Sequence, residues 1–406
     1  MTRRSLFIIV FLGLIGYSLS WPSPLSQART TKAERWAINE QVISQIITEP
    51  ISRKALPSEI SIPGLRIPGD LKVEYTIDEK LQKRAERLFK RYNPDYGVFV
   101  AIDPENGHVL SMVDSTRDGL DYGNLSMVNT FPAASVSKII TAVAAVNENK
   151  ANKNTVIPFN GKTTTLYKKH VFNHQNNKYT RHYTLKDSFA KSVNSAFGRL
   201  GAIHIGGETM LEYAYRLGFN GRFSSDFQFD NGKIEVDTND QWEVAEMSTG
   251  YTLNNTLSPL HAASIAATAV NGGNLIAPVV VSSITDPYGI PLYHHEKPAR
   301  SNVMTAQTAG QLKTMMQETV IKGSARKSFK KLNNSSLKEV NVGGKTGSLT
   351  GYNPKGKYDW FVGFAEKGER KIAYAVLCIN KEKWYVKSAQ FARQILEYYY
   401  SESGRT

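Results

Sequence analysis

Three short groups of side chains could together perform nucleophilic acyl chemistry. Ser135-Val136-Ser137-Lys138 sets a hydroxyl and an amine three residues apart, on one face of a helix if the segment is helical. A lysine acts as a base only while neutral, and burial near another cation lowers its pKa. Ser135 is thus the candidate nucleophile and Lys138 its base. Ser192-Val193-Asn194 adds a hydroxyl able to relay a proton between Lys138 and a leaving nitrogen, and an amide able to hold a peptide group. Lys345-Thr346-Gly347-Ser348 adds a second cation, two hydroxyls suited to a carboxylate, and a glycine that lets a substrate backbone lie alongside. Backbone N–H groups of Ser135 and Ser348 would form an oxyanion hole.

Each group alone has a plainer reading: a helix-start serine with a solvated lysine, a helix-to-helix turn with an asparagine cap, an edge-strand lysine. S-x-x-K occurs at Ser135, Ser188, Ser324, Ser328 and Ser335, so it selects nothing by itself. Context selects Ser135, which follows Phe131-Pro132-Ala133-Ala134 and opens the alanine-rich run to Val146. The free N–H groups and positive dipole end of such a helix favour developing negative charge. Ser324, Ser328 and Ser335 fall in the basic stretch from Lys322 to Lys338, which is either a solvated surface or one facing anionic wall or lipid. S-x-N and K-T-G each occur once, and their agreement reverses the plain readings.

The elements that must position these groups are legible on either side of a long insertion. Tyr96 to Asp103, a Pro104-Glu105-Asn106-Gly107 turn and His108 to Val113 form a hairpin. Gly343 to Leu349, Tyr358 to Ala365 and Lys371 to Ile379 are three more strands, whose short connections imply antiparallel pairing. Val386 to Tyr399 carries an apolar stripe that would lie on the sheet. Between the two strand groups, Leu185–Ala190, Glu208–Leu217 and Leu260–Val270 continue the helical pattern. The expected fold is α+β: a five-stranded antiparallel sheet covered by helices, with an all-helical subdomain inserted between strands 2 and 3.

Composition narrows the class. The 406 residues are 41% hydrophobic and 10% aromatic, enough for a real core, and carry a formal net charge of +14. That balance suits anionic surroundings, but no nucleic-acid-binding pattern accompanies it. Arg3-Arg4 precede an uncharged run from Leu6 to Leu19, which as a helix at ~1.5 Å per residue falls short of the roughly 30 Å hydrocarbon core. Ser26-Gln27-Ala28 offers a cleavage site, so residues 1–28 read as a signal peptide or an uncleaved membrane anchor. Residues 29–72 read as a short helix and a linker punctuated by Pro57, Pro63 and Pro68, and residues 73–400 as the main domain. Cys378, the sole cysteine, sits in an apolar run and reads as a buried small hydrophobe. His170, His174 and His182 read as a polar loop rather than a zinc site.

With these residues in hand, the chain resembles the transpeptidase domain of high-molecular-weight penicillin-binding proteins from about Val73 to Tyr399. The three motifs are the S-x-x-K, S-x-N and K-T-G set of that class. Tyr75-Thr76-Ile77-Asp78-Glu79-Lys80-Leu81-Gln82, Ala101-Ile102-Asp103-Pro104, Leu257-Ser258-Pro259-Leu260, Asn271-Gly272-Gly273 and Trp360-Phe361-Val362-Gly363-Phe364 match further family segments in the same order. Two departures are small-for-small: Ala134 stands where the family usually has glycine, and Ser348 where threonine is commoner.

The resemblance implies an extracytoplasmic enzyme, periplasmic or on the outer face of the membrane. Its Ser135 would attack D-Ala-D-Ala ends of peptidoglycan stem peptides, form an acyl-enzyme and be trapped by β-lactams. It implies no cofactor, and cell-wall synthesis proteins as partners. The motifs leave cross-linking and D,D-carboxypeptidase trimming both open. A serine β-lactamase is disfavoured because Phe227-Gln228-Phe229-Asp230-Asn231 lacks the deacylating glutamate of one such group. A β-lactam sensor would carry several membrane helices, where this sequence offers at most one. The short span before Val73 leaves no room for a glycosyltransferase or pedestal domain, so a pared-down member is expected.

Overall fold

The strand Tyr96–Ile102 (β1) is buried at every position, which requires packed layers on both of its faces. In the computed structural model, residues 38–401 are described, apart from 66, 68, 174, 297, 298 and 331–334. Val98, Val100 and Ile102 face one hydrophobic core, and Phe99 and Ala101 face a second. Val109–Thr116 (β2), Asn341–Tyr352 (β3), Lys355–Lys367 (β4) and Arg370–Asn380 (β5) complete a sheet of order β3-β4-β5-β1-β2, antiparallel throughout. The β5–β1 pairing, with Ala375 opposite Val100, joins the two ends of the domain. It leaves β3, the strand bearing Lys345, at an edge of the sheet.

On one face lie Glu79–Tyr92 (α2) and the last helix, Ser388–Tyr399. In α2 the side chain of Asp78 caps the Leu81 N–H at 2.9 Å, and Leu81, Ala85, Leu88 and Phe89 form the buried stripe. Phe89 stacks on Phe391 at 4.3 Å. Cys378 is buried in this layer, and burial pushes its thiol up to about 12, so it is an inert packing residue.

The opposite face is covered by Pro259–Ala267, and Lys138–Asn147 (α3) runs among the helices of the insertion. Every residue of α3 from Lys138 to Val146 is buried, which is why it is rich in alanine rather than amphipathic. Leu185–Ala190 (α4), Asn194–Arg199 (α5), Gln241–Thr249 (α6) and Ala306–Ile321 (α7) surround it.

Two features differ from the sequence expectation. The insertion between β2 and β3 is not all-helical. It contains the hairpin Val156–Phe159 with Arg181–Thr184, and further short strands including Val281–Thr285 and Pro291–His294. These strands are two to five residues long and partly exposed, too short for a period-2 pattern to emerge. Packing also begins before Val73. The helix Glu40–Ser52 (α1) buries Ile43, Ile47 and Ile51 in the main core, and Ile60 and Ile62 join them. Leu71–Tyr75 pairs with both Glu59–Ile60 and Val281–Thr285. The segment assigned as export signal or anchor, residues 1–28, lies outside the described residues. Among the described residues, no helix is long and apolar enough to cross a membrane.

Candidate active site

Ser135 sits on the 3-10 turn Ala134–Ser137 that feeds into α3 and is partly exposed. One turn on, Lys138 is fully buried. Its Nζ lies 2.9 Å from Ser135 Oγ, 2.7 Å from Asn194 Oδ1 and 2.7 Å from the Thr249 carbonyl oxygen. The Asn194 amide is itself fixed, because its Nδ2 donates to the Thr164 carbonyl at 2.9 Å and so turns Oδ1 toward the lysine. Burial, and secondarily the nearby charge of Lys345, hold the Lys138 amine well below the ordinary lysine range. No carboxylate among the described residues pairs with it to oppose that shift.

The count of hydrogens makes the arrangement directional. A neutral amine has two N–H groups and one lone pair. The oxygens of Asn194 and Thr249 can only accept, so they take both hydrogens. The lone pair is left facing the Ser135 hydroxyl, the one neighbour with a proton to give.

The other two motifs meet through a hydrogen bond between Lys345 and Ser192. Lys345, on the edge strand β3, is also fully buried; its Nζ donates to Ser192 Oγ at 3.0 Å and to the Thr346 carbonyl at 2.8 Å. Burial brings its amine down to about 7. Ser192 lies between α4 and α5 with φ of 56°, a left-handed conformation that serine adopts at a cost. Asn194 is the first residue of α5, and its side chain serves Lys138 rather than capping the helix. The structure therefore gathers these residues into two hydrogen-bonded groups, Ser135–Lys138–Asn194 and Ser192–Lys345, adjacent along the chain from Ser192 to Asn194 and close enough for the Lys345 charge to act on Lys138. Thr346 is half-buried beside it. Gly347 packs toward the nucleophile turn, where an added Cβ would lie 3.2 Å from the Ala133 carbonyl oxygen. The exposed Ser348 directs its hydroxyl to Asp359 Oδ1 at 3.3 Å, so its proton is engaged within the protein.

Of the competing S-x-x-K serines, Ser188 is set apart. Ser188 is fully buried on α4, and its Lys191 lies over the Tyr183 ring at 4.0 Å. Sequence reasoning missed several parts of the site. Ala134 has φ of 48°, the conformation for which glycine is favoured, so the alanine there stores strain beside Ser135. Trp360 Nε1 donates to the Pro132 carbonyl at 2.9 Å, tying the turn to β4. Asn255 donates to Ser137 Oγ, and its own carbonyl accepts from the Ala133 N–H at 2.7 Å. Thr249 contributes a backbone carbonyl, which no side-chain motif could reveal. For the histidines, His174 lies outside the described residues, and no cluster able to hold a metal occurs among those described.

Residues 97–397 match the family described as the penicillin binding protein transpeptidase domain. The chain belongs to that family. Relatives of this penicillin-binding transpeptidase domain include Stage V sporulation protein D of Bacillus subtilis, 26% identical over 340 residues. The match covers 76% of this chain and 50% of that one. Peptidoglycan D,D-transpeptidase PbpA of Mycobacterium tuberculosis is 24% identical over 361 residues, covering 78% of this chain and 68% of that one. The chain thus spans half the length of the Bacillus relative. Among solved structures, a D,D-transpeptidase domain from Eggerthella lenta superposes with a TM-score of 0.67 at 18% identity, covering 86% of this chain and 90% of that one. PBPA from Mycobacterium tuberculosis gives 0.66 at 23%, covering 82% and 81%. That protein has also been solved as a penicillin G acyl-enzyme complex.

Proposed function

We propose that this penicillin-binding domain is a serine D,D-transpeptidase that joins peptidoglycan stem peptides through an acyl-enzyme on Ser135. The observation that carries the reading is the buried Lys138 amine, 2.9 Å from the Ser135 hydroxyl with two oxygen acceptors as its other neighbours. Ser135 gives its proton to Lys138 as Oγ attacks the carbonyl of the penultimate D-alanine. The N–H groups of Ser135 and Ser348 hold the oxyanion. The proton returns through Ser192 to the departing nitrogen, and D-alanine leaves. A stem-peptide amine, giving up a proton by the same route, then takes the acyl group. The substrate peptide lies along the free edge of β3. Asn194 and Gly347 accommodate its backbone, and the Lys345 charge with the Thr346 hydroxyl receives its terminal carboxylate, with Ser348 at the margin. Residues 73–400 are the catalytic unit, exported by residues 1–28 through or onto the membrane and working beside other cell-wall synthesis proteins. β-Lactams acylate the same oxygen.

The test is a donor peptide ending in D-Ala-D-Ala, offered with and without an acceptor amine. Cross-linked product and D-alanine release are expected with the acceptor, and intact mass after penicillin exposure should place a single adduct on the Ser135 peptide. Release of D-alanine into water at the same rate whatever the acceptor would make the chain a carboxypeptidase. Adduct decay within a second would make it a β-lactamase.

Acylation should have a bell-shaped pH dependence. Its acid limb is protonation of Lys138, and its alkaline limb, near pH 7 in the free enzyme, is loss of the Lys345 proton. A bound carboxylate favours the ammonium, so the alkaline limb of kcat should lie above that of kcat/KM. Lys345→Arg, which stays charged, should remove that limb. Because the folded-state value is depressed, the lysine's contribution to stability is fully present above its ordinary value of 10.5 and is lost as pH falls through about 7. An alkaline limb that survives Lys345→Arg would refute the assignment.

A further inference from the structure

Gly323 and Ser324 come just after Lys322, the cap of α7, and lie between the end of α4 and the strand β3. Gly323 meets the end of α4 so closely that an added Cβ would sit 2.4 Å from the Ala190 carbonyl oxygen. The next N–H, that of Ser324, donates to the same oxygen at 2.9 Å. The exposed Ser324 hydroxyl then reaches across to Thr346 Oγ1 at 2.5 Å. A circuit results: Ala190 leads in two residues to Ser192, Ser192 accepts from Lys345, Lys345 precedes Thr346, and Thr346 returns through Ser324 to Ala190. Lys186 of α4 and Glu318 of α7 approach to 3.9 Å, a further tie between the same two helices.

A hydroxyl has one proton to donate and two lone pairs. If Thr346 spends its proton on Ser324, it meets a carboxylate with lone pairs, and the two repel. If Ser324 donates instead, the Thr346 proton is free for the anion, and the two O–H groups polarise each other in sequence. An arriving carboxylate selects the second arrangement. Lys345 donates two of its three N–H groups to Ser192 and the Thr346 carbonyl, so its charge acts beside the Thr346 proton rather than in place of it.

We propose that Ser324 is a positioning residue for substrate recognition: it donates to Thr346 and thereby aims the Thr346 hydroxyl proton at the substrate's terminal carboxylate. The proposal rests on the reading that Thr346 receives that carboxylate. Nothing in the pattern of the three motifs includes Ser324, whose only sequence signal is one more S-x-x-K in a basic stretch.

The experiment uses the full chain with two thioester donors, one ending in a free carboxylate and one with that group as a carboxamide, following thiol release. Ser324→Ala is expected to lower kcat/KM for the acid about three- to tenfold, the range of a single hydrogen bond, mainly through KM, and to leave the amide unchanged. Ser324→Thr restores the acid rate. Equal losses on acid and amide would overturn the proposal, since a merely structural tie between α4 and β3 makes no distinction between the donors. So would no loss on either while Thr346→Ala still discriminates between them, an outcome that leaves the Thr346 reading standing. If Thr346→Ala does not discriminate, the carboxylate reading itself fails, and the Ser324 proposal with it.

Discussion

Lys138→Met is expected to slow penicillin acylation of Ser135 by about three to four orders of magnitude while leaving the fold in place. The rate effect follows from losing the group that takes the serine proton, a contribution of roughly 10²–10⁴ for general-base catalysis, with positioning added. The stability effect is a difference of opposing terms. Methionine fills nearly the same buried volume without an amine to desolvate, which stabilises the folded chain. The Asn194 and Thr249 oxygens lose their donor, at about 1–3 kcal/mol for each acceptor left unsatisfied. These nearly cancel at neutral pH. The wild type gains stability from this lysine as pH rises toward the ordinary value of 10.5, because the depressed amine is deprotonated on folding, and the variant should lack that slope. Ser135→Ala should show no adduct at any time. Stopped-flow labelling with a fluorescent penicillin, paired with thermal melts across pH, reads both effects. A Lys138→Met protein that acylates within tenfold of wild type would mean that another group takes the proton.

The contrast between what the sequence disclosed and what it did not has a physical pattern. The five strands of the central sheet were legible because each is bounded by turn residues and carries bulky β-branched or aromatic side chains, as in Tyr358 to Ala365. The site side chains were legible because S-x-x-K, S-x-N and K-T-G fall on elements whose ends converge: a helix start, an interhelical turn and an edge strand. The strands within the insertion were not legible, since Val281–Thr285 alternates poorly and its partner Leu71–Tyr75 is distant in the chain. The role of α1 was hidden by Pro50 and by the proline-punctuated stretch after it, which masked the burial of Ile43, Ile47 and Ile51. Least visible were the backbone contributions. The Thr249 carbonyl that holds Lys138, the left-handed turns at Ala134 and Ser192, and the Gly323 contact with Ala190 are properties of the chain path, which residue type encodes only weakly.

Gly250 is such a position, where residue type leaves no latitude, and Gly250→Ala is expected to cost both stability and activity. It ends α6 with φ of 69°, where an L side chain is strained by roughly 1–2 kcal/mol. An added Cβ would lie 1.7 Å from the carbonyl oxygen of Ala134 and 2.4 Å from its carbon. Both neighbours are backbone, so no side chain can swing aside. Either the Ala134 peptide must move by more than 1 Å, carrying Ser135 with it, or the end of α6 must withdraw, taking the Thr249 carbonyl from Lys138. A 1 Å displacement of a reacting group costs about 10²-fold in rate. The expected result is a loss of about 2–4 kcal/mol in stability, the range of strain plus backbone clash, and at least a hundredfold slower acylation. Gly64→Ala supplies the control, since Gly64 has φ of 86° but nothing within 4 Å of the added Cβ. It should show the strain alone, a small fall in melting temperature with acylation unchanged. If Gly250→Ala behaves like Gly64→Ala, the end of α6 does not lock the nucleophile turn, and Lys138 must owe its orientation to Asn194 alone.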